Sequence, residues 1–299
     1  MRDIIIDTDP GHDDALAIML AVKSGMFRIH AITTVAGNST IENTTRNARF
    51  ILKLLKREDI PVYSGCEKPL KRELIQAVVH GKSGLEGLDP HNEPGLTGNA
   101  VQKILDIVES NPGKITLVTL GPLTNIATAI NKNPEIMSMS KEIIMMGGAI
   151  HAPGNKNRVA EFNIFVDPEA ADTVFRSPVK KTLIPLDACN HVKMFMEDFE
   201  KIKGPLRNPI IAMMKPFIRN IMEDEGVNAA LMYDPLTIYY MMNPSACTRN
   251  EYNILVETKG DITRGMTVAD LRKMTAEPNI MVIENISEER FKKDFIEIL

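Results

Sequence analysis

The chain has 299 residues, 44% apolar and 25% charged, an ordinary globular balance with room for one large α/β domain or two small ones. A formal net charge of −4 gives no footing for nucleic acid or an anionic membrane as partner, and no apolar run approaches the roughly 20 residues that span a bilayer. Cys66, Cys189 and Cys247 lack metal-type spacing, and MRDIIIDTDPG meets Asp3 and turns polar after three isoleucines; both predict a reduced, cytoplasmic protein without a signal peptide.

Along the chain, β-rich runs alternate with helical patterns. Asp3–Thr8 reads as a buried strand. Asp13–Ser24 reads as a helix, with Ala15, Ile18, Met19 and Val22 at helical spacing. Ile29–Val35 is a second strand, followed by a helix over Ile41–Lys56 and a short strand at Pro61–Tyr63. Residues 97–110 predict a helix, Ile115–Leu120 a strand, and Leu123–Asn131 a helix ended by Asn133-Pro134. Glu142–Met146 and Lys181–Pro185 are further strands. This alternation predicts a single-domain α/β fold with a mixed, mainly parallel central sheet flanked by helices. Two segments break the rhythm. Residues 64–96 are rich in Gly and Pro, with a short helix predicted at Leu74–Val79. Residues 204–233 read as helix interrupted by Gly and Pro. Such segments in an α/β protein serve as mobile active-site loops or as plain surface insertions.

Asp7, Asp9, Asp13 and Asp14 all fall at the carboxyl end of the first strand, where open parallel sheets bind ligands. Pro10-Gly11 forces a tight turn, and Asp13 is expected to cap the helix that follows. One acid at a helix start is ordinary. Several converging acids repel one another, and a hard divalent cation with oxygen ligands supplies the missing counter-charge. Other strand ends and helix starts are also polar: Asn38 after Val35-Ala36-Gly37, the run Thr119–Asn125, Met146-Gly147-Gly148, Asn155, Glu161-Phe162-Asn163, and Asp234-Pro235. Singly these read as turns or caps. Together they line the expected ligand-binding edge.

DTDPGHDDALAI (7–18), TTVAGN (33–38), TLGPLTNIA (119–127), MGGA (146–149), AEFNIFVDPEAA (160–171), YDPL (233–236) and GDITRGMTVAD (260–270) occur in that order. In this the chain resembles the inosine–uridine preferring nucleoside hydrolases from near residue 3 to the last strand. The resemblance implies hydrolysis of the N-glycosidic bond of a ribonucleoside to free base and ribose, with Ca²⁺ as cofactor. It implies Asp9, Asp14 and Asp234 as carboxylate ligands, the Leu120 carbonyl as another, and Asp9 as acceptor of the water proton. Asp13, Asn38, Asn155, Glu161 and Asn163 are implied to hold ribose hydroxyls, Phe162 to line the sugar pocket, and Asp7 to orient its neighbours. It also implies a homodimer or homotetramer. The residue types suit the chemistry, because base departure leaves positive charge on the ribosyl group and a ring of carboxylates and amides stabilises it.

The chain departs from the family pattern near the base. Many members carry His before the late Asp; here Tyr233 stands there, a weaker proton donor with a reference pKa near 10. His80, in HGKSGL (80–85), matches the family's loop HG element and is expected to contact the base. His12 is expected at the pocket rim, while His30, His91, His151 and His191 read as structural or exposed. Trp is absent, so a Trp sandwich around a purine is excluded, and the preference leans to pyrimidine or broad. Two alternatives stay open: hydrolysis of a modified nucleoside or other N-riboside, and metal-dependent riboside binding with little turnover.

Overall fold

Ile4 and Ile6 pack into one hydrophobic cluster and Ile5 into another, and all three are fully buried. Alternating side chains of one strand therefore feed two cores, as a strand covered on both faces requires. The same alternation places Val118 and Ile144 in the first cluster and Leu117, Ile143 and Met145 in the second. The computed structural model, which describes residues 1–272 and 276–299, builds a mostly parallel sheet on this pattern.

The strands are β1 (Arg2–Thr8), β2 (Phe27–Thr34), β3 (Val62–Ser64), β4 (Thr116–Thr119), β5 (Glu142–Met146), β6 (Lys181–Ile184), β7 (Lys193–Met194), β8 (Ala230–Leu231), β9 (Cys247–Tyr252), β10 (Ile254–Val256), β11 (Thr267–Ala269) and β12 (Ile280–Ile286). Eight form one sheet in the order β3-β2-β1-β4-β5-β6-β12-β9. Every neighbouring pair is parallel except β12–β9 at the edge. β7–β8 and β10–β11 are separate two-stranded ribbons. Helices His12–Lys23, Ile41–Leu54, Arg207–Glu225, Asp234–Met242 and Glu288–Ile298 cover one face, and Ala100–Ser110, Thr124–Lys132 and Pro168–Arg176 cover the other. From β1 the chain runs outward through β2 and β3, then returns to pass through β4, β5 and β6 on the other side. That reversal opens a crevice beyond the carboxyl end of β1.

The single-domain α/β reading holds, and the structure corrects several local expectations. Leu74–Val79 is not helical. A turn at Val78–Gly81 closes the segment, with Gly81 at φ 71°. Residues 204–233 hold one continuous helix, Arg207–Glu225, rather than an interrupted one. Pro209 sits in its first turn, where an N–H has no helical partner. Pro216 lies inside and withholds one donor from the Ala212 carbonyl. Gly87 packs there, where a side-chain Cβ would stand 2.2 Å from that oxygen. Pro134 ends one helix and also starts another, Pro134–Ser138, capped by Asn133. Among the described residues no helix is long and apolar enough to cross a membrane.

Candidate active site

Asp14, not Asp13, caps the first helix: its Oδ2 accepts from the Gly11 N–H at 2.9 Å. Asp14 is the third residue of the helix, the position whose side chain can reach back to the N-cap. It also accepts from the Thr8 hydroxyl, from Asn38 Nδ2 at 3.1 Å and from the Asp9 N–H at 3.3 Å. Asp13, freed from capping, turns into the crevice, and its Oδ1 is buried with no hydrogen-bond partner.

Asp9 stands in a slot cut from glycine. A Cβ on Gly37 would lie 2.1 Å from its Oδ2, and one on Gly121 would lie 2.3 Å from its Oδ1. The Asn38 N–H donates to Oδ2 at 2.6 Å, while Oδ1 is buried and unpartnered. Behind it, Asp7 Oδ1 accepts from Thr33 Oγ1 at 2.5 Å and Asn125 Nδ2 at 2.8 Å, tying β1 to β2 and to helix Thr124–Lys132. Asp234 arrives from the start of its own helix. Asp13, Asp14 and Asp234 each bring an oxygen within 4.8 Å of the others, the geometry of a cation site.

Electrostatics describe a floor with too much negative charge. Burial raises the Asp9, Asp13, Asp14 and Asp234 carboxyls, and Asp14 raises the other three further. Burial lifts Asp7 and Glu161 to about 7. Bringing in a divalent cation would reverse this penalty. The donors suit one: all are hard oxygens, and Asp9 Oδ1 and Asp13 Oδ1 have no hydrogen-bond partner among the described residues.

Above the floor lies a cavity of about 400 Å³ lined by Asp13, Asn38, Leu120, Asn155, Glu161, Phe162, Asn163, Asp234, His80 and Tyr233. All of these are residues singled out from the sequence. Asp9 and Asp14 lie beneath the lining, fully buried. Glu161 caps the short helix Phe162–Val166; it accepts from the Asn163 N–H at 2.8 Å, the Gly148 N–H at 3.0 Å and the Ile164 N–H at 3.1 Å. Asn163 Nδ2 donates to the Leu120 carbonyl at 2.7 Å, leaving that oxygen a second lone pair. Asn155 Oδ1 accepts from the Phe162 N–H at 3.0 Å.

His12 is a correction. It is fully buried behind His80 and is not at the rim. Both rings stack on Phe217, with centroids 4.7 and 5.2 Å away. His12 Nε2 lies 2.9 Å from the Glu86 carbonyl, which can only accept, so that nitrogen carries the hydrogen. Burial holds His12 down to about 4, so it is neutral; its Nδ1 lies 3.0 Å from His80 Nδ1, and the His12 backbone N–H donates to that same His80 nitrogen at 3.3 Å. His80 then presents Nε2 to the cavity, 3.8 Å from Asp13 Oδ1. His91, His151 and His191 are exposed, and His30 pairs with Asp3 at 2.7 Å.

Residues 4–293 match the profile of the inosine-uridine preferring nucleoside hydrolases. The chain belongs to that family. As a nucleoside hydrolase it acts on N-glycosyl bonds of ribonucleosides. It is 42% identical to the pyrimidine-specific ribonucleoside hydrolase RihA of Salmonella enteritidis, over 96% of this chain and 95% of that one. The solved plant nucleoside hydrolase PpNRh1 superposes with a TM-score of 0.93 at 31% identity, covering 99% of this chain and 98% of its own. A purine-preferring ribonucleoside hydrolase from Gardnerella vaginalis superposes at 0.91 with 28% identity, covering 99% and 98%.

The nucleoside hydrolase cavity also contains residues that sequence reasoning missed. Ala77, Val78, Val79, Lys156 and Asp224 line it, and Met146, read from its strand end, does too. Lys156 Nζ sits 5.7 Å from the centroid of the Phe162 ring. It stands next to Asn155, so its place in the motif was visible even though its direction was not. Gly37 and Gly121 read as turn formers; their tight fit around Asp9 is a three-dimensional fact with no local signal.

Proposed function

We propose that this nucleoside hydrolase is Ca²⁺-dependent and prefers pyrimidine ribonucleosides or accepts a broad set. The observation that carries the cation is the pair of buried, unpartnered oxygens, Asp9 Oδ1 and Asp13 Oδ1, beside the Asp13–Asp14–Asp234 cluster. Asp9, Asp14, Asp234 and the Leu120 carbonyl are the assigned ligands, with Asp13 close enough to join them. A bound Ca²⁺ supplies counter-charge and lowers the pKa of a water beside the sugar.

The chain's own residues do the rest. Asp9, locked by Gly37, Gly121 and the Asn38 N–H, takes the proton of the attacking water. Asp13, Asn38, Asn155, Glu161 and Asn163 hold the ribose hydroxyls, and the carboxylates among them stabilise positive charge as the base leaves. Phe162 covers the sugar. Tyr233 and His80 face the base and assist its departure. His80 Nε2, 3.8 Å from Asp13 Oδ1, and the Tyr233 side chain are the groups assigned to meet the leaving base. Segment 64–96 reaches the cavity through Ala77–His80, in keeping with a loop that moves over the site, and segment 204–233 reaches it through Asp224 at the end of its helix and through Tyr233.

The pyrimidine leaning rests on the missing Trp and on the identity to RihA, whose name states that preference. Free thiols at Cys66, Cys189 and Cys247 favour the cytoplasm, and the family resemblance favours a homodimer or homotetramer. The test is release of reducing sugar from a ribonucleoside panel, in chelator and after refilling with Ca²⁺, Mg²⁺ or Mn²⁺. Activity lost in chelator and restored best by Ca²⁺ is the expected result. Undiminished turnover in chelator overturns the cation, and faster cleavage of inosine than of uridine and cytidine overturns the base preference.

A further inference from the structure

GDITRGMTVAD (260–270) belongs to the motifs that carry the family resemblance, yet none of its residues lines the cavity. Among the described residues its strand β11 pairs with β10 alone, in a ribbon apart from the main sheet. We propose that Thr267 in this ribbon is a positioning residue, which fixes the Glu161 carboxylate against the substrate through Ala149 and Gly148. The proposal rests on the reading of Glu161 as a ribose-binding group.

Thr267 is buried, 1% exposed. Its hydroxyl donates to the Ala149 carbonyl at 2.6 Å and accepts from the Ala149 N–H at 2.9 Å. One side chain thus satisfies both backbone groups of one residue. That residue follows Gly147 and Gly148, at φ 154° and 78°. Two such glycines make the most freely moving hinge a chain can have, so something outside it must hold its shape. The Gly148 N–H is one of the three donors that aim Glu161, and a Cβ on Gly147 would stand 3.2 Å from Glu161 Oε2. A Cβ on Gly148 would meet the Thr267 methyl at 3.0 Å. The path from hydroxyl to carboxylate is therefore continuous: Thr267, Ala149, Gly148, Glu161.

The same ribbon braces the wall from a second side. Arg264 Nη2 donates to the Phe165 carbonyl at 3.0 Å, and its guanidinium lies 4.3 Å from that ring's centroid. The Arg264 carbonyl accepts from Asn157 Nδ2 at 3.0 Å. Phe165 ends the turn that begins at Glu161, and Asn157 holds the loop that carries Asn155.

A double-mutant cycle tests this. Thr267→Val keeps the shape and removes both hydrogen bonds; it should lower kcat/KM on uridine by about 10- to 100-fold. Thr267→Ser keeps the hydroxyl and should stay within about three-fold of the parent. In a Glu161→Gln background, Thr267→Val should cost less than about two-fold, because its route of action is already cut. Cation affinity, read by chelator titration, should be the same for Thr267→Val and the parent. Full additivity with Glu161→Gln, or an equal fall in cation affinity, overturns the proposal. Near-parent activity of Glu161→Gln alone overturns the reading of Glu161 and the proposal with it, and so separates that failure from the first. If Thr267→Val does not fold, Arg264→Met takes its place, with a several-fold loss expected and the same non-additivity required.

Discussion

The two ends of the cavity are built differently. The floor is made at the carboxyl end of β1, where Asp9 and Asp14 are fully buried and each side-chain oxygen is aimed by a backbone N–H, a hydroxyl or a glycine that leaves it room. The base end is made of a loop, a helix end and a helix start: Val78 is 76% exposed, Asp224 is exposed, and Tyr233 is half-buried. Preorganised groups on strand ends give precision, and exposed loops tolerate change. A nucleoside hydrolase of this design should be strict about the sugar and lenient about the base.

The largest effect should come from the floor. Asp9→Ala is expected to cut kcat by about 10²–10⁴-fold while far-UV circular dichroism stays unchanged; near-parent turnover removes Asp9 as the proton acceptor. Gly121→Ala comes next. It adds a methyl group against Asp9 Oδ1 and should cost about 1–3 kcal/mol of stability and about 10- to 100-fold in kcat/KM. A fully active, equally stable variant would mean that the slot is looser than the 2.3 Å approach implies.

Cation removal should show itself in the pH dependence of stability. Burial raises the floor carboxyls and lifts Asp7 and Glu161 to about 7, so the folded chain binds more protons than the unfolded one. Stability in chelator must then fall as pH rises from the ordinary carboxylate range near 4 toward about 7. Melting temperatures in chelator should drop between about pH 5 and about pH 7.5, and saturating Ca²⁺ should flatten the drop. A chelated protein that gains stability across that window contradicts the crowded floor. The smallest effect belongs to the base end. Tyr233→Phe should lower kcat by about ten-fold or less, and by different factors for uridine and cytidine; the same large loss on every substrate would move Tyr233 into the sugar site.

The same contrast explains what was legible in the sequence. The sheet could be read because Ile4-Ile5-Ile6 and its counterparts alternate between two cores, a pattern written in consecutive residues. The cavity lining could be read because its polar groups sit at strand ends and helix starts, where a motif and a position coincide. The reading failed at one helix cap and where a distant segment decides the outcome. Asp13 looked like the cap, yet Asp14 has the reach to Gly11. His12 sits inside an acidic motif, and only the packing of Phe217 and Glu86 puts it behind His80. Leu74–Val79 carried a helical pattern that ends instead in the turn at Val78–Gly81, and Pro216 looked like a break until Gly87 closed over the carbonyl it frees.

The division between sugar and base is open to one direct measurement: kcat/KM for uridine, 2′-deoxyuridine, cytidine and inosine on the cation-loaded enzyme. The account predicts that losing the 2′-hydroxyl costs about 10³-fold or more, because buried polar groups are left unpaired, while changing the base costs less. Cleavage of 2′-deoxyuridine within about ten-fold of uridine, or a base change that costs more than the missing hydroxyl, would contradict it.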